Sequence, residues 1–207
     1  MSLPDSFYTI YQASTGEFKE RGSKFLSYAF SVRTEEEAKD LLKQLRKDHY
    51  AAAHVCWALV LGCKGEFEKS SDDREPSGTA GKPILRAILE KKCTFTLVAV
   101  VRYFGGKLLG VPGLIHAYGE AAKASLVEDC IEEKKVFFRI FQPCSYEQQH
   151  EIIRVCKHHQ LKFFPDIRES VQGITFEVSP GKWQQTMIDL QLPGLDAPHE
   201  PETIYAG

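Results

Sequence analysis

One stretch, residues 70–83, concentrates the residue types that perform chemistry. It reads SSDDREPSGTAGKP and contains three carboxylates, Asp72, Asp73 and Glu75, together with Arg74 and Lys82. Clustered carboxylates can hold a divalent cation, and a single one can act as a general base when its neighbours tune its pKa. Adjacent aspartates on an extended chain point to opposite faces, however, and the two cations can neutralise them locally. A salt-bridged structural loop is therefore an equal alternative to a site for chemistry.

A second stretch, residues 100–113, reads VVRYFGGKLLGVPG and leads from an apolar strand through a glycine loop into a helix start. Glycines let the backbone approach a ligand closely, and successive amides at a helix start favour an anion. Neither standard glycine motif of nucleotide-binding folds is present. An anion site, for a phosphate such as that of RNA, and a set of packing and turn glycines both remain open. The candidate anion-binding or nucleic-acid-binding residues are His54, Lys82, Arg102, Gly105, Gly106, Lys107, Gly110 and Gly113.

Histidine and cysteine do not form a recognisable metal pattern. His54 and Cys56 share one strand face, but no second pair of ligands follows, so we expect no metal and no cofactor. His158 and His159 are most simply favourable charges at a helix C-terminus. The six cysteines include no C-x-x-C pair, which predicts reduced, structural thiols in a cytoplasmic protein.

Composition limits the classes of function. The 207 residues carry a formal net charge of −2 with a pI near 6.4, which argues against a protein that binds nucleic acid through bulk charge alone. A local basic patch is still compatible with these values. We find no signal peptide, and the longest apolar run, residues 55–61, is far shorter than the roughly 20 residues that span a bilayer.

The candidate residues require a scaffold of alternating strands and helices. Alternating hydrophobicity predicts a half-buried strand over residues 26–32 with its large apolar side chains at even positions, and another over 54–61. Residues 95–103 form a nearly continuous apolar run, typical of a strand covered on both faces. Three helices are predicted in this region. The first follows the capping box Thr34–Glu37, the second starts near Ala80, where Ser77 or Thr79 can cap it, and the third follows the glycine loop. This pattern predicts one α/β or α+β domain over residues 1–131.

A second, smaller domain is predicted over residues 132–207. The charge run 132–135 marks its start, and a strand (136–141), a helix (145–159), two strands (161–168 and 173–178) and a helix (183–190) follow. This βαββα order suits an antiparallel sheet with helices on one face. The tail from Pro193 is expected to be irregular.

The motifs together resemble the IMPACT family, whose bacterial members are the YigZ-type proteins. The resemblance covers about the first 130 residues and is carried by HVCWA at 54–58, SDDREPSGTAGKP at 71–83, VRYFGGKLLG at 101–110, Gly113-Leu114 and Ala117-Tyr118. Two positions depart from the family pattern: Arg74 stands where glycine is usual, and Pro112-Gly113 stands where Gly-Gly is usual.

The resemblance implies an α+β fold with two domains. The N-terminal domain is expected to be like the second domain of ribosomal small-subunit protein five, and the C-terminal domain to be ferredoxin-like, as in elongation factor G. For bacterial members the family suggests nucleic-acid or ribosome association, with no established reaction. We therefore predict a non-enzymatic, translation-associated regulatory protein that contacts RNA or the ribosome. The alternatives are an enzyme that acts on a small phosphorylated or anionic molecule through Asp72, Asp73 or Glu75, and a protein-interaction module.

Overall fold

The computed structural model describes residues 3–191 and 196–206. The chain divides into two compact units. The first unit comprises Phe7–Glu133, and the second unit comprises Lys134–Gly207 together with the short segment Met1–Ser6. Each unit has its own sheet and its own buried core, so the two are described separately.

Ten strands and five α-helices make up the described chain. In chain order they are β1 (Ser6–Ile10), β2 (Ser14–Glu20), β3 (Ser23–Ser31), α1 (Glu35–Asp48), β4 (His54–Leu61), β5 (Phe67–Ser71), α2 (Gly81–Glu90), β6 (Thr96–Tyr103), α3 (Gly110–Ser125), β7 (Ile131–Pro143), α4 (Tyr146–His158), β8 (Lys162–Arg168), β9 (Val171–Val178), α5 (Pro180–Asp189) and β10 (Glu202–Ala206). Within residues 3–191 and 196–206, no helix is both long enough and apolar enough to cross a membrane.

The first unit is an antiparallel sheet covered by helices on both faces. Its strand order is β2-β3-β6-β4-β5. One face packs against α2 and α3 in a core that includes Ile84, Ile88 and Tyr118. The opposite face packs against α1 through Leu42 and Leu45. β6 lies in the middle of the sheet and is buried along nearly its whole length, as its apolar run predicted.

β3 is buried more completely than its alternating sequence predicted. The large even-numbered side chains lie on the α1 face, as expected for a half-buried strand. The small odd-numbered residues Ser27 and Ala29 are fully buried as well, beneath the helices of the other face. Small side chains leave room for a helix to approach closely, so their low hydrophobicity does not indicate contact with solvent.

The second unit has the strand order of a ferredoxin-like domain. β9 lies between β7 and β8 in a five-stranded sheet of order β1-β7-β9-β8, and β10 also pairs antiparallel with β7, as the last strand of a βαββαβ unit does with the first. α4 and α5 pack on this sheet through a separate core. Ser145 and Gln148 form a capping box at the start of α4.

The charge run 132–135 lies inside β7, because charged side chains can occupy exposed positions of a strand, and the division between the two units falls within this run. One expectation for this region was wrong. The tail is not irregular throughout, since β10 hydrogen-bonds along β7; residues 192–195 of the tail lie outside the described range. Edge strands gain their stability from backbone pairing, and this leaves little pattern in their sequence.

Candidate functional site

The candidate residues meet at one end of the first unit's sheet, which we call the site end. Here β4 begins at His54, directly opposite Arg102 near the end of β6. The loop between β5 and α2, residues 72–80, lies against both strands. Tyr118 of α3 reaches the same loop from the helical layer. Three segments that are far apart in sequence therefore form a single cluster.

The carboxylate of Asp72 caps the N-terminus of α2, although Asp72 lies eight residues before Ala80, the N-cap position. Its Oδ1 accepts hydrogen bonds from the N–H groups of Ala80 (2.9 Å) and Gly81 (2.8 Å), and its Oδ2 accepts one from Gly78 (2.8 Å). Partial burial raises the pKa of Asp72, but these backbone donors and the nearby Lys82 outweigh it and lower the pKa. The side chain of Ala80, at the cap position, cannot accept a bond, so Asp72 takes that role.

Asp73 joins three parts of the first unit. Its Oδ2 accepts from the N–H of Val55 at 2.7 Å and from the guanidinium of Arg46 at 3.0 Å. Burial raises its pKa, but Arg46 and the Val55 N–H outweigh this and lower the pKa overall. The Asp73 carbonyl lies 2.8 Å from Nδ1 of His54. A carbonyl can only accept, so Nδ1 carries a proton and Nε2 of the neutral ring carries the lone pair.

Glu75 is more buried than Asp73, with a side chain that is 4% exposed against 12%. Its Oε1 accepts from Arg102 Nη1 at 2.5 Å and from the Tyr118 hydroxyl at 2.8 Å, and it lies 3.7 Å from His54 Nε2. Arg102 is itself 6% exposed along its side chain. This buried ion pair fixes the loop to β6 and α3, because separating it would leave a charge without a partner in the interior.

Cys56 and Tyr118 complete the cluster but are poorly suited to act as nucleophiles. Burial raises the pKa of the Cys56 thiol to about 12, and it also raises the pKa of the Tyr118 hydroxyl. The Cys56 sulfur lies 3.1 Å from the Asp72 carbonyl and 3.3 Å from the Tyr118 hydroxyl, so its proton has an acceptor. A thiol that stays protonated at neutral pH is a structural group.

These contacts favour one of the interpretations that the sequence left open for the acidic loop. Asp72 and Asp73 are committed to backbone N–H groups and to Arg46, and Glu75 is committed to Arg102 and Tyr118. Coordination of a divalent cation needs carboxylate oxygens that converge on one point with free lone pairs. The observed arrangement is instead a salt-bridged and capped loop.

The cations of the site end are placed differently from its carboxylates. Arg74 is 80% exposed along its side chain, and Lys82 and Lys107 are also exposed. Within the described residues, neither lysine has a carboxylate oxygen within ion-pair distance. The sequence grouped Arg102 with these cations as a phosphate contact, but its burial against Glu75 leaves it poorly placed to reach a ligand directly. We call Arg74, Lys82 and Lys107 the cationic face.

The candidate glycines divide into packing positions and an accessible position. A Cβ on Gly105 would lie 1.9 Å from the carbonyl carbon of Gly22, so this glycine is required for a close backbone approach. A Cβ on Gly113 would lie 3.0 Å from that of Leu109 in the first turn of α3. Gly106 and Gly110 both have positive φ, +80° and +69°, and nothing lies within 4 Å of a Cβ built on Gly106. The backbone at Gly106 is therefore open to a ligand.

Arg74 adopts the backbone conformation for which glycine is usual. Its φ is +71°, and that of Asp73 is +40°. Non-glycine residues reach this region at a cost of roughly 1–2 kcal/mol each, because the Cβ crowds the following carbonyl. The bonds of Asp73 to Val55 and His54 hold this turn in place, so the side chain at position 74 is directed into solvent.

Two residues of the cluster are absent from the candidates that the sequence provided. The sequence analysis named Tyr118 only in the Ala117-Tyr118 motif, although a hydroxyl on an apolar helix face indicates the need for a buried partner. Arg46 lies in the last turn of α1, where a cation is expected in any case. Nothing in the local sequence connects it with Asp73, which lies 27 residues away.

Comparison with known proteins gives consistent matches. The model of the Impact N-terminal domain matches residues 21–126, which include β3 to α3 and the whole site end. The chain is 37% identical over 131 residues to the IMPACT family member YvyE of Bacillus subtilis, covering 63% of this chain and 60% of that protein. It is 34% identical over 144 residues to an IMPACT family member of Haemophilus influenzae, covering 68% and 69% of the two chains.

Similarity to a solved structure extends over both units. A crystal structure described as that of a hypothetical protein superposes with a TM-score of 0.66 at 26% identity, covering 94% of this chain and 97% of the other. The range matched by the family model contains the motifs at residues 54–58, 71–83 and 101–110. This chain belongs to the IMPACT family.

Proposed function

We propose that the first unit binds RNA of the translation machinery through the cationic face, and that the protein acts there as a non-enzymatic regulator. The observation that carries this proposal is the separation of charge at the site end. Asp73 and Glu75 are 12% and 4% exposed along their side chains, whereas Arg74 is 80% exposed. Solvent therefore meets mainly cations, although the sequence of the loop contains more carboxylates than cations.

The distribution of these cations suits a polymer of phosphates. Arg74 lies in the acidic loop, Lys82 in the first turn of α2 and Lys107 in the glycine loop. Each can contact a different phosphate, and neutralising several phosphates releases counterions from a nucleic acid. A small anion would instead require donors that converge on one point. The open backbone at Gly106 adds a place where a phosphate can approach main-chain N–H groups.

An exposed aromatic side chain beside the cations supports RNA in particular. Phe104 is 51% exposed and directly precedes the glycine loop. The Arg102 guanidinium lies 5.6 Å from the centre of its ring, on the protein side of the site. An aromatic ring next to cations is the usual platform on which an unpaired base stacks. Arg102 then acts as a positioning residue that holds Phe104 and the loop, and Glu75 neutralises its charge.

A fluorescence titration tests the proposal. Labelled structured RNA and purified ribosomes are titrated with the intact chain at two salt concentrations, for the wild type, Lys82→Ala, Lys107→Ala and the double variant. Each lost phosphate contact is expected to reduce the slope of log K against log salt by roughly 0.7–0.9. All these side chains are exposed, so the fold should tolerate the changes.

Lys43→Ala is the matched control, because it removes an exposed cation from α1 on the other face of the sheet. Its salt slope should equal that of the wild type. Absence of binding to either probe would refute the proposal, as would an equal loss of affinity in Lys43→Ala and the double variant. Phe104→Ala should weaken binding at both salt concentrations by a similar factor, because stacking carries no net charge.

The state of the cysteines supports the cytoplasmic setting that we propose for this function. The six cysteines all lie in the described residues, where no disulfide joins any two of them, and five of them are buried. Free thiols persist in a reducing compartment, whereas secreted proteins usually oxidise them.

A further inference from the structure

Two histidines and an aspartate of the second unit lie close together outside the site described above. His158 is the last residue of α4, His159 follows as its cap, and Asp189 is the last residue of α5. One ligand atom from each of the three lies within 4.8 Å of the others. The sequence indicated only a favourable charge at the end of α4, because Asp189 lies 30 residues away and is brought there by the packing of α5.

The geometry of this cluster is held by groups around it. His159 Nε2 lies 2.7 Å from Asp189 Oδ2, and Gln185 donates to the other oxygen, Oδ1, at 2.9 Å. The ammonium group of Lys182 donates to the carbonyl of His159 at 2.9 Å, which links the end of α4 to α5. Outer hydrogen bonds of this kind orient ligands in established metal sites.

The cluster opens into a cavity that leaves space for solvent. The cavity has a volume of about 380 Å³ and is lined by Arg154, Val155, His158 and Asp189. His158 is exposed and Asp189 is half-buried, so an ion can reach both side chains from solvent. The guanidinium of Arg154 is paired with Glu151 at 2.6 Å, which reduces its repulsion of a cation.

We propose that His158, His159 and Asp189 bind a divalent transition metal ion, with Zn²⁺ as the best match, and that water from the cavity completes a tetrahedral site. Two imidazoles and one carboxylate suit Zn²⁺, whereas Mg²⁺ and Ca²⁺ prefer oxygen ligands alone. Tetrahedral Zn²⁺ with bonds of about 2.0–2.2 Å separates its ligand atoms by roughly 3.3–3.6 Å. The 2.7 Å contact between His159 and Asp189 reaches that spacing if the two atoms move apart by less than about 1 Å, and the ligand atom of His158 starts within 4.8 Å of both.

The alternative is that His159 and Asp189 form only a hydrogen-bonded pair between two helix ends. The two interpretations differ in the role of His158, which the pair does not require and which metal binding does. They also differ in their response to Asp189→Asn, which keeps the shape of the side chain and a hydrogen-bonding oxygen but removes the charge that a metal needs.

Calorimetric titration of the intact, metal-free chain with Zn²⁺ alone tests the proposal, and the visible absorption of bound Co²⁺ reports the geometry. Wild type is expected to bind one ion that His158→Ala and Asp189→Asn each weaken by more than about a hundredfold, beyond the 10- to 100-fold typical of outer-shell changes. His150→Ala is the matched control, because it removes an exposed histidine from the same helix outside the cluster.

The outcome is decisive in either direction. Tetrahedral Co²⁺ absorption that survives in His150→Ala and disappears in the other two variants supports the site. The proposal is overturned if wild type binds no Zn²⁺, if its binding is unchanged in His158→Ala and Asp189→Asn, or if His150→Ala loses it equally. Far-ultraviolet circular dichroism confirms that each variant is folded, and exposed His158 is the change least able to disturb the fold.

Discussion

Replacing Glu75 with glutamine is expected to destabilise the first unit strongly. Glutamine has the same shape and still accepts a bond from Tyr118, but it carries no charge to balance Arg102, which is buried to about 95%. At the observed N–O distance of 2.5 Å, an effective dielectric constant of 20 gives an attraction of about 7 kcal/mol. The cost of burying both ions offsets part of this, and removal of one partner from a buried pair typically costs about 3–5 kcal/mol.

The two tryptophans of the chain make the measurement specific. Trp57 packs in the core of the first unit and Trp183 in that of the second. In a Trp183→Phe background, urea unfolding followed by fluorescence therefore reports only the first unit. Glu75→Gln should lower its free energy of unfolding by about 3–5 kcal/mol, which for a unit of this size corresponds to a Tm decrease of roughly 10–20 °C.

Two further variants separate the ion pair from nonspecific effects. Glu36→Gln removes a carboxylate that is 78% exposed and should leave the unfolding curve unchanged. The double variant Glu75→Leu with Arg102→Met should recover most of the lost stability, because apolar residues can replace a buried pair. A loss below about 1 kcal/mol in Glu75→Gln, or a double variant as unstable as the sum of its single changes, would show that the pair does not hold the loop.

Two further substitutions and a labelling experiment test the remaining features of the first unit. Arg74→Gly relieves a positive φ, and after allowance for the extra freedom of glycine in the unfolded chain it should raise the free energy of unfolding by about 0.5–1 kcal/mol in a urea titration. Asp72→Asn should cost about 1–2 kcal/mol at pH 7. Because the pKa of Asp72 is lowered in the folded protein, its contribution to the free energy of unfolding is present above the unfolded pKa of about 3.9 and is lost as the pH falls through the folded pKa. The asparagine variant lacks this titrating group, so it should lose less stability than wild type on acidification below pH 4. Alkylation at pH 8 followed by mass spectrometry should label half-buried Cys130 first and leave Cys56 unlabelled in the folded protein, whereas rapid labelling of Cys56 would contradict its raised pKa.

The sequence predicted the central elements well and the edge strands poorly. β4 has the bounds that its alternation indicated, because each of its faces meets a separate apolar core. β5 and β10 were not expected, and most of their residues are exposed. Such strands are specified by the backbone groups of a neighbouring strand, so their own side chains carry little periodic signal.

Motif residues at the site end were identifiable from the sequence, but their partners were not. Arg102 lies 27 residues from Glu75, and Tyr118 lies 43 residues away. Local rules also misplaced the cap of α2: Ser77 and Thr79 have suitable side chains, yet Thr79 donates to the Pro76 carbonyl and Asp72 supplies the cap. Capping rules describe neighbours within a few residues, whereas here the folded loop brings the acceptor from farther away.

What the loop can bind depends on which charged side chains face solvent and which are paired within the fold, and composition does not show this. Each carboxylate of the loop has a positive partner within the first unit: the N-terminus of α2 for Asp72, the exposed Arg46 for Asp73 and the buried Arg102 for Glu75. The exposed cations of the cationic face have no equivalent role in the interior. A net charge of −2 for the whole chain is therefore compatible with a face that attracts phosphate, because the field near a surface depends on the nearest unscreened charges. Reversing only those charges, for example Lys82→Glu with Lys107→Glu, should abolish RNA binding while the buried pairs keep the fold intact.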